Sequence, residues 1–368
     1  MTQTRISRLY QQMAATGLDA MALNPGPSMT YLTGMNFHVM ERPTVLLVAP
    51  PDKAVFILPR LETAKLAKSK LAVIPFMFGD NPAEWVNVFR QAAQSIGLDG
   101  KTIGLEPTRW RFLEFSYLQQ AVNGAKFVSG ASALESLRIQ KDAEEVAKMR
   151  QAVKIAQDAL KAVLPMIKIG VSERELASEL TIQILRHGGD PESPFGPIVS
   201  SGPNSANPHA APGDRRLTAG DLLVIDWGAS YQGYVSDLTR TFAIGEPEAE
   251  YRKIYEAVAQ ANAAGRAYAR PGISAGEVDH AARKVIDAAG YGAFFTHRVG
   301  HGIGMEGHEP PYMFAENELE LKPGMAFTVE PGIYLPDRGG VRIEDNVVIT
   351  ENGAEVLSDF PRELQVLG

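Results

Sequence analysis

Four acids and four histidines in the second half of this sequence are spaced so that they could converge on a cation. Asp226 and Asp237 lie in Asp221–Phe242, where two apolar, β-branched runs flank Tyr231-Gln232-Gly233. That pattern reads as a β-hairpin. A two-residue loop at 231–232 sets Asp226 opposite Asp237. A loop at 232–233 sets it opposite Thr239, with Asp237 two residues away on the same face, because side chains alternate along a strand. Like charges facing each other across a ladder destabilise it, so something cationic belongs between them. Glu330 comes back near Glu344 in the same way if Pro336-Asp337-Arg338 form the tip of a second hairpin. His301 and His308 lie in Val299-Gly-His301-Gly-Ile-Gly-Met-Glu-Gly-His308-Glu-Pro, whose glycines let the backbone approach a ligand while the imidazoles point inward. His209 lies in a turn-rich loop that stops just before the first hairpin, and His297 precedes the glycine segment.

The elements that must carry these residues are duplicated. Leu217-Thr-Ala-Gly220-Asp-Leu-Leu223-Val-Ile-Asp226 aligns with Leu321-Lys-Pro-Gly324-Met-Ala-Phe327-Thr-Val-Glu330, an offset of 104. Gly170-Val-Ser172-Glu-Arg-Glu175 aligns with Gly272-Ile-Ser274-Ala-Gly-Glu277, an offset of 102, and each is a Ser-x-x-Glu box that opens a helix. Two related halves, each with a helix and a hairpin, would each donate a pair of acids. Before them, Val146, Met149, Val153, Ala156, Leu160 and Val163 recur at helical spacing, and Pro165 ends that helix.

Residues 1–130 read as an α/β unit. A helix is expected around Arg5–Thr16, strands at Asp19–Leu23, Val45–Ala49, Ala54–Leu58 and Thr102–Leu105, and helices at Glu84–Ile96 and Arg109–Ala121. His38 stands alone there and reads as an ordinary surface or packing residue. The domain boundary is placed at 130/131, so the whole chain is α+β: an α/β unit, then residues 131–368 as duplicated helix plus antiparallel hairpin.

At 368 residues, with 45% hydrophobic and 21% charged residues, the composition is that of a soluble globular protein. A net charge of −7 without a basic block argues against a nucleic-acid partner. With no cysteine there is neither a disulfide nor thiolate chemistry, which suits the cytoplasm. Nothing approaches 18 consecutive apolar residues, so no membrane span is expected, and Met1–Arg8 has no apolar run after its charges to make a signal peptide.

Ser201-Gly-Pro-Asn, Pro208-His-Ala, Asp237-Leu-Thr-Arg-Thr, Gly300-His-Gly-Ile-Gly, His308-Glu, Val329-Glu-Pro-Gly-Ile-Tyr and Val341-Arg-Ile-Glu-Asp resemble, in order, the Xaa-Pro peptidases. These are the prolidases and aminopeptidases P of the pita-bread M24 metallopeptidases. The resemblance covers residues 130–365. Gly17-Leu-Asp-Ala and Tyr31-Leu-Thr-Gly34 are similar, more loosely, to the creatinase-type N-terminal domain. The resemblance implies that Asp226, Asp237, His301, Glu330 and Glu344 hold two divalent ions, with Asp237 and Glu344 bridging. Four carboxylates and one imidazole form a hard set that suits Mn²⁺ by ligand type, with Co²⁺ or Zn²⁺ as alternatives. It further implies that His209 and His308 flank the substrate, one positioning it and the other stabilising charge on the carbonyl oxygen. Glu330 would pass a proton from water to the proline nitrogen. His297 reads either as part of the substrate site or as a support for His301, Arg342 as orienting Glu344, and Trp227 as core; Tyr231 either faces the site or caps its turn. A homodimer acting on proline-containing peptides is implied in the same way.

One position departs from the pattern. Many compact prolidases carry an arginine four residues after the second histidine, to clamp a dipeptide's carboxylate; here Tyr312 stands there. Tyrosine can donate a hydrogen bond but not a bidentate ion pair, and Arg338 is a candidate substitute. The reading favours an Xaa-Pro dipeptidase. The alternatives are an aminopeptidase P acting on longer peptides, or a non-peptidase relative with the same fold.

Overall fold

A computed structural model describes residues 4–193 and 195–368, so the first three residues of the Met1–Arg8 opening lie outside it. The chain divides into two compact units, Met1–Arg138 and Ile139–Gly368.

In the first unit the strands are β1 (Ala20–Leu23), β2 (Val45–Ala49), β3 (Lys53–Pro59), β4 (Ile74–Phe78), β5 (Thr102–Leu105) and β6 (Lys126–Ser129). They form one sheet in the order β4-β3-β2-β1-β5-β6. β1 pairs antiparallel with β2 and parallel with β5. Both β1 and β2 are buried throughout, as continuous apolar runs in a covered sheet should be. The helices are α1 (Arg5–Ala15), α2 (Pro27–Thr33), α3 (Pro82–Ile96), α4 (Phe112–Ala121) and α5 (Ala131–Arg138). α4 starts at Phe112 rather than at Arg109. The Arg109 and Trp110 amides close a turn on the Glu106 carbonyl, and the Trp110 indole donates to the Ala22 carbonyl at 2.9 Å.

The second unit shows the duplication. α6 (Ala143–Val163) and α7 (Glu173–Arg186) form one helix pair, and α8 (Ala249–Tyr268) and α9 (Ala275–Ala288) the other. Ser172 and Ser274 each close a reciprocal capping box, with Glu175 and Glu277, worth about 1 kcal/mol per cap. Just upstream, the Gly170 amide donates to the Leu217 carbonyl and the Gly272 amide to the Leu321 carbonyl, both at 2.9 Å. Gly170, Gly220, Gly272 and Gly324 all have φ of +86° to +90°, where a β-carbon would strain the chain. The repeated glycines therefore fix the same corner twice.

Each helix pair covers its own strands. α6 and α7 bury Ile155, Leu160, Leu176 and Leu180 against β7 (Ile198–Ser201), β8 (Leu222–Trp227) and β11 (Leu238–Ile244). The short β9 (Ser230–Tyr231) and β10 (Tyr234–Val235) end the first hairpin. Tyr231 pairs with Tyr234 and Asp226 with Thr239, so the loop is Gln232-Gly233, the second of the two registers considered. Both loop residues have positive φ, +50° and +78°, the conformation that a two-residue hairpin with right-handed twist demands. Trp227, on the opposite face from Asp226, is fully buried and donates to the Ala156 carbonyl at 2.7 Å, a core residue as expected. Tyr231 packs against that same core.

α8 and α9 bury Ile254, Val258, Val278 and Ile286 against β13 (Glu309–Met313), β14 (Ala326–Val329), β15 (Gly332–Leu335), β16 (Gly339–Arg342) and β17 (Asp345–Thr350), with β12 (Gly300–Gly302) between β13 and β14 in the sheet. β18 (Gly353–Val356) extends that sheet, and β19 (Val366–Leu367) adds parallel to β11. In the second hairpin Leu335 pairs with Gly339, so Pro336-Asp337-Arg338 is its tip; the same register continues from Gly332–Arg342 to Val329–Asp345. Glu330 and Glu344 therefore face each other where the hairpin bends.

Candidate metal centre

The two hairpins meet along one seam. The Asp237 amide donates to Asn346 Oδ1 at 3.1 Å, the Glu344 amide to the Thr239 carbonyl at 3.1 Å, and the Arg342 amide to Thr241 Oγ1 at 3.1 Å. Alternate residues meet, so one face of each strand projects to the same side. The side chains of Asp226, Asp237 and Glu344 bring ligand atoms within 4.8 Å of one another, as do those of His301, Glu330 and Glu344, and of Asp237, His301 and His308. The three groups share members, so they form one contiguous donor set. Asp237, Glu344 and His301 are closed off from solvent, whereas Asp226 and Glu330 keep an edge open.

Neighbours hold each donor in place. Thr239 Oγ1 donates to Glu344 Oε2 at 2.7 Å, and Thr328 Oγ1 to Glu330 Oε1 at 3.3 Å. His301 Nδ1 bonds the Gly302 carbonyl at 3.1 Å, which makes Nδ1 the protonated nitrogen. Its free Nε2 lies 3.3 Å from Glu330 Oε1 and 3.6 Å from Asp237 Oδ2. The His301 and His308 rings stack with centroids 3.8 Å apart, and His308 is exposed. His209 is also exposed, near enough for its charge to act on Asp226 and His308.

The electrostatics fit a bound cation. Burial raises the carboxyl pKa of Asp226, and that of Asp237 and Glu344 still further, where neighbouring carboxylates add to it. Burial pushes Glu330 up to about 7. Burial, followed by the charge of His308, brings His301 down to about 3, so its Nε2 is a neutral donor to metal. Asp226 Oδ1 and Glu344 Oε1 are buried without a hydrogen-bond partner among the described residues. Buried oxygens of this kind are costly unless something satisfies them, and a divalent ion does so. The donor set therefore fits the metal that the sequence implied.

Its electrostatics also set a pH dependence. Carboxyls whose folded pKa lies above the unfolded value bind more protons in the native state, so the stability they confer is lost as pH rises. Glu330 alone, moving from 4.5 to about 7, corresponds to about 3 kcal/mol. Chelator-treated protein should melt several degrees lower at pH 8 than at pH 5.5, and the gain on adding Mn²⁺ should widen over the same range, because metal requires deprotonated ligands. A chelated protein whose melting temperature is flat or rises with pH would contradict the site.

Two supporting residues act otherwise than expected. Arg342 does not reach the Glu344 carboxylate. Its Nη2 donates to Asp226 Oδ2 at 2.6 Å, its Nε to Thr239 Oγ1 at 3.1 Å and its Nη1 to the Tyr334 hydroxyl at 2.9 Å. It crosses the seam because Asp226 lies on the adjoining hairpin, while Glu344 is already taken by Thr239. Nor does His297 support His301. Its Nδ1 bonds the Arg298 carbonyl at 2.7 Å, and its Nε2 bonds the Tyr334 hydroxyl at 2.9 Å. Burial holds its pKa at about 4, so the ring is neutral and Nε2 accepts. Arg338 pairs with Glu248 and Glu250 at the start of α8, and so cannot replace the clamp.

Some supporting residues escaped the sequence reading. Arg240 and Asp345 alternate to the face behind the site, both at most 1% exposed, and form an ion pair at 2.9 Å. Arg240 also donates to the Thr239 and Glu344 carbonyls, at 2.8 and 2.7 Å, and so clamps the backbone of both hairpins. Asp345 takes two further bonds from Arg362, at 2.7 and 2.9 Å. A charged residue on the buried face of an apolar strand was the available signal. Asp345→Ala leaves Arg240 unpaired in the interior and should cost about 3–5 kcal/mol in urea unfolding; a loss below 1 kcal/mol would overturn this account. Lys141, paired with Glu309 at 2.7 Å and almost fully buried, fixes the strand that begins beside His308. Glu173 accepts from the Ser201 and Gly213 amides, at 2.7 and 3.1 Å, and so shapes the loop that carries His209.

Residues 147–351 match Metallopeptidase family M24, and residues 5–140 match the Creatinase/Prolidase N-terminal domain. The chain belongs to metallopeptidase family M24. This M24 metallopeptidase is 39% identical over 323 residues to an Xaa-Pro dipeptidase of Pyrococcus furiosus, covering 86% of this chain and 88% of that one. Among solved structures, a dipeptidase from Pyrococcus horikoshii OT3 superposes with a TM-score of 0.93 at 37% identity, covering 99% of this chain and 100% of the other. An X-Pro aminopeptidase from Thermotoga maritima gives 0.86 at 31% identity, with 99% and 100% covered. The α+β architecture, a creatinase-type domain followed by a pita-bread domain, is that of the family. No described helix is long and apolar enough to cross a membrane.

Proposed function

We propose that this M24 metallopeptidase hydrolyses the peptide bond before proline in Xaa-Pro dipeptides, using two divalent ions, Mn²⁺ by ligand type, held by Asp226, Asp237, His301, Glu330 and Glu344. The observation that carries the reading is the single contiguous donor set drawn from both hairpins, with the orphaned oxygens of Asp226 and Glu344 inside it. Such ions, when bound, acidify a water and polarise the scissile carbonyl. The chain's own residues do the rest. Glu330, on the edge of the donor set that stays open to solvent, is placed to take a proton from the water and pass it to the leaving proline nitrogen. That transfer matters because the imide nitrogen must depart as a free secondary amine. His308, exposed beside His301, and His209, from its own loop, flank the substrate, one positioning it and the other stabilising the charge that develops on the carbonyl oxygen. Arg342 and Thr239 keep Asp226 and Glu344 aimed.

The second reading is an Xaa-Pro aminopeptidase. Tyr312 in place of a clamp arginine and the likeness to the Thermotoga maritima enzyme favour it. Purified protein with Mn²⁺ should cleave Ala-Pro faster than Ala-Pro-Ala, and chelator should silence both. Faster turnover of the tripeptide would select the aminopeptidase, and no cleavage of any Xaa-Pro bond would end both readings. A homodimer is part of the proposal, from the resemblance alone.

A further inference from the structure

Arg298 stands beside the donor set with an uncommitted guanidinium. Its backbone carbonyl accepts from His297, but its side chain has no hydrogen-bond or ion-pair partner among the described residues. The guanidinium lies 4.6 Å from the centroid of the Tyr312 ring. Tyr312 is the register partner of His301 across β12 and β13. Paired residues in an antiparallel ladder project to the same face, so the ring and the cation stacked on it lie on the face that presents His301 to the donor set. Electrostatics agree with that placement. After burial, the Arg298 charge is among the causes that lower the pKa of His308 and His301, and it also acts to lower that of Glu330.

The other nearby cations are committed. Arg342 serves Asp226, Thr239 and Tyr334, Lys141 serves Glu309, and Arg338 serves Glu248 and Glu250. An Xaa-Pro dipeptide carries its free carboxylate one carbon beyond the proline nitrogen, so the group that reads it must lie close to the residue that protonates that nitrogen. Guanidinium offers a planar fork of five donors, which fits a carboxylate bidentately, and stacking on an aromatic ring pre-organises the fork.

We propose that Arg298, held over the Tyr312 ring, is the specificity-determining residue that binds the free carboxylate of an Xaa-Pro substrate. The position four residues after His308 then supplies the platform rather than the charge. This rests on the Xaa-Pro reading above and adds to it the residue that recognises the C-terminal end.

The test compares Ala-Pro with its amide, Ala-Pro-NH₂, which lacks the carboxylate, on metal-loaded wild type, Arg298→Met and Arg298→Lys. Hydrogen bonds to a charged group contribute about 1.5–3 kcal/mol, which converts to roughly 10- to 100-fold. In Arg298→Met the KM for Ala-Pro should rise by about that factor with kcat changed less. The amide should be little affected, so the preference for acid over amide collapses. Arg298→Lys should recover part of it, because the charge remains and the fork is lost. Equal losses on acid and amide, or no loss on either, would overturn the proposal, as would a wild type that already prefers the amide. Thermal melts of both variants separate a folding defect from a binding one. If wild type cleaves no Xaa-Pro bond at all, it is the parent reading that fails.

Discussion

Asp237→Ala should abolish metal binding and activity together, with kcat/KM falling by three decades or more. Asp237 belongs to two of the three overlapping donor groups, and its Oδ2 lies 3.6 Å from His301 Nε2. Asn346 fixes its backbone, accepting from the Asp237 amide at 3.1 Å and donating to the Asp237 carbonyl at 2.5 Å. A bound metal supplies several kcal/mol of charge stabilisation, and each 1.36 kcal/mol is tenfold in rate, so a thousandfold loss is a conservative figure. The variant should also be more stable than wild type in chelator, since one member of a repelling buried cluster is gone. Metal content by atomic absorption and peptidase rate should therefore fall together while the chelated melting temperature rises. Full activity in the variant, or a chelated melting temperature below that of wild type, would contradict the shared-ligand role.

Glu330→Gln separates holding a metal from moving a proton. The amide keeps the size and one carbonyl oxygen, but it cannot carry a proton between water and the proline nitrogen. General acid–base catalysis contributes about 10²–10⁴-fold, so kcat should fall by that much while KM changes far less. The pH profile is the sharper readout. Wild type should show an ionisation in kcat/KM that the variant lacks, on whatever activity remains. A variant that loses metal and keeps normal turnover when the ion is resupplied in excess would remove Glu330 from the proton path.

Much of this site was legible because its residues obey periods. Alternation put Asp226 and Asp237 on one face under either turn, and the repeated Gly, apolar, β-branched, acid pattern located Glu330 from Asp226. The turn itself was undecided, since Tyr231-Gln232-Gly233 tolerates two loops. Positive φ at both Gln232 and Gly233 settled it, a property of the pair that side-chain type signals weakly outside Asn-Gly. Contacts across the seam were not legible. Nothing in the strand pattern says that Arg342 reaches past Glu344 to Asp226, or that Arg240 ties together carbonyls of two hairpins more than a hundred residues apart. Those depend on how two twisted hairpins abut, which no single segment encodes. The helix expected from Arg109 began late for a similar reason, because the Trp110 indole is recruited by a carbonyl eighty-eight residues away.

The bonds that link Asp226, Arg342, Tyr334, His297 and the Arg298 carbonyl diverge from Arg342. Arg342 gives to Asp226 and to the Tyr334 oxygen, Tyr334 gives to His297, and His297 gives to a carbonyl that has nothing to return. With a guanidinium that does not let go of its proton in the middle and an acceptor-only group at the far end, that line insulates rather than conducts. That line offers Asp226 no route for a proton, and the proposed transfer is left to Glu330. The backbone of Arg298 is the terminus of the same line, so the arm that would grip the peptide's end and the Asp226 carboxylate are joined by one run of four hydrogen bonds.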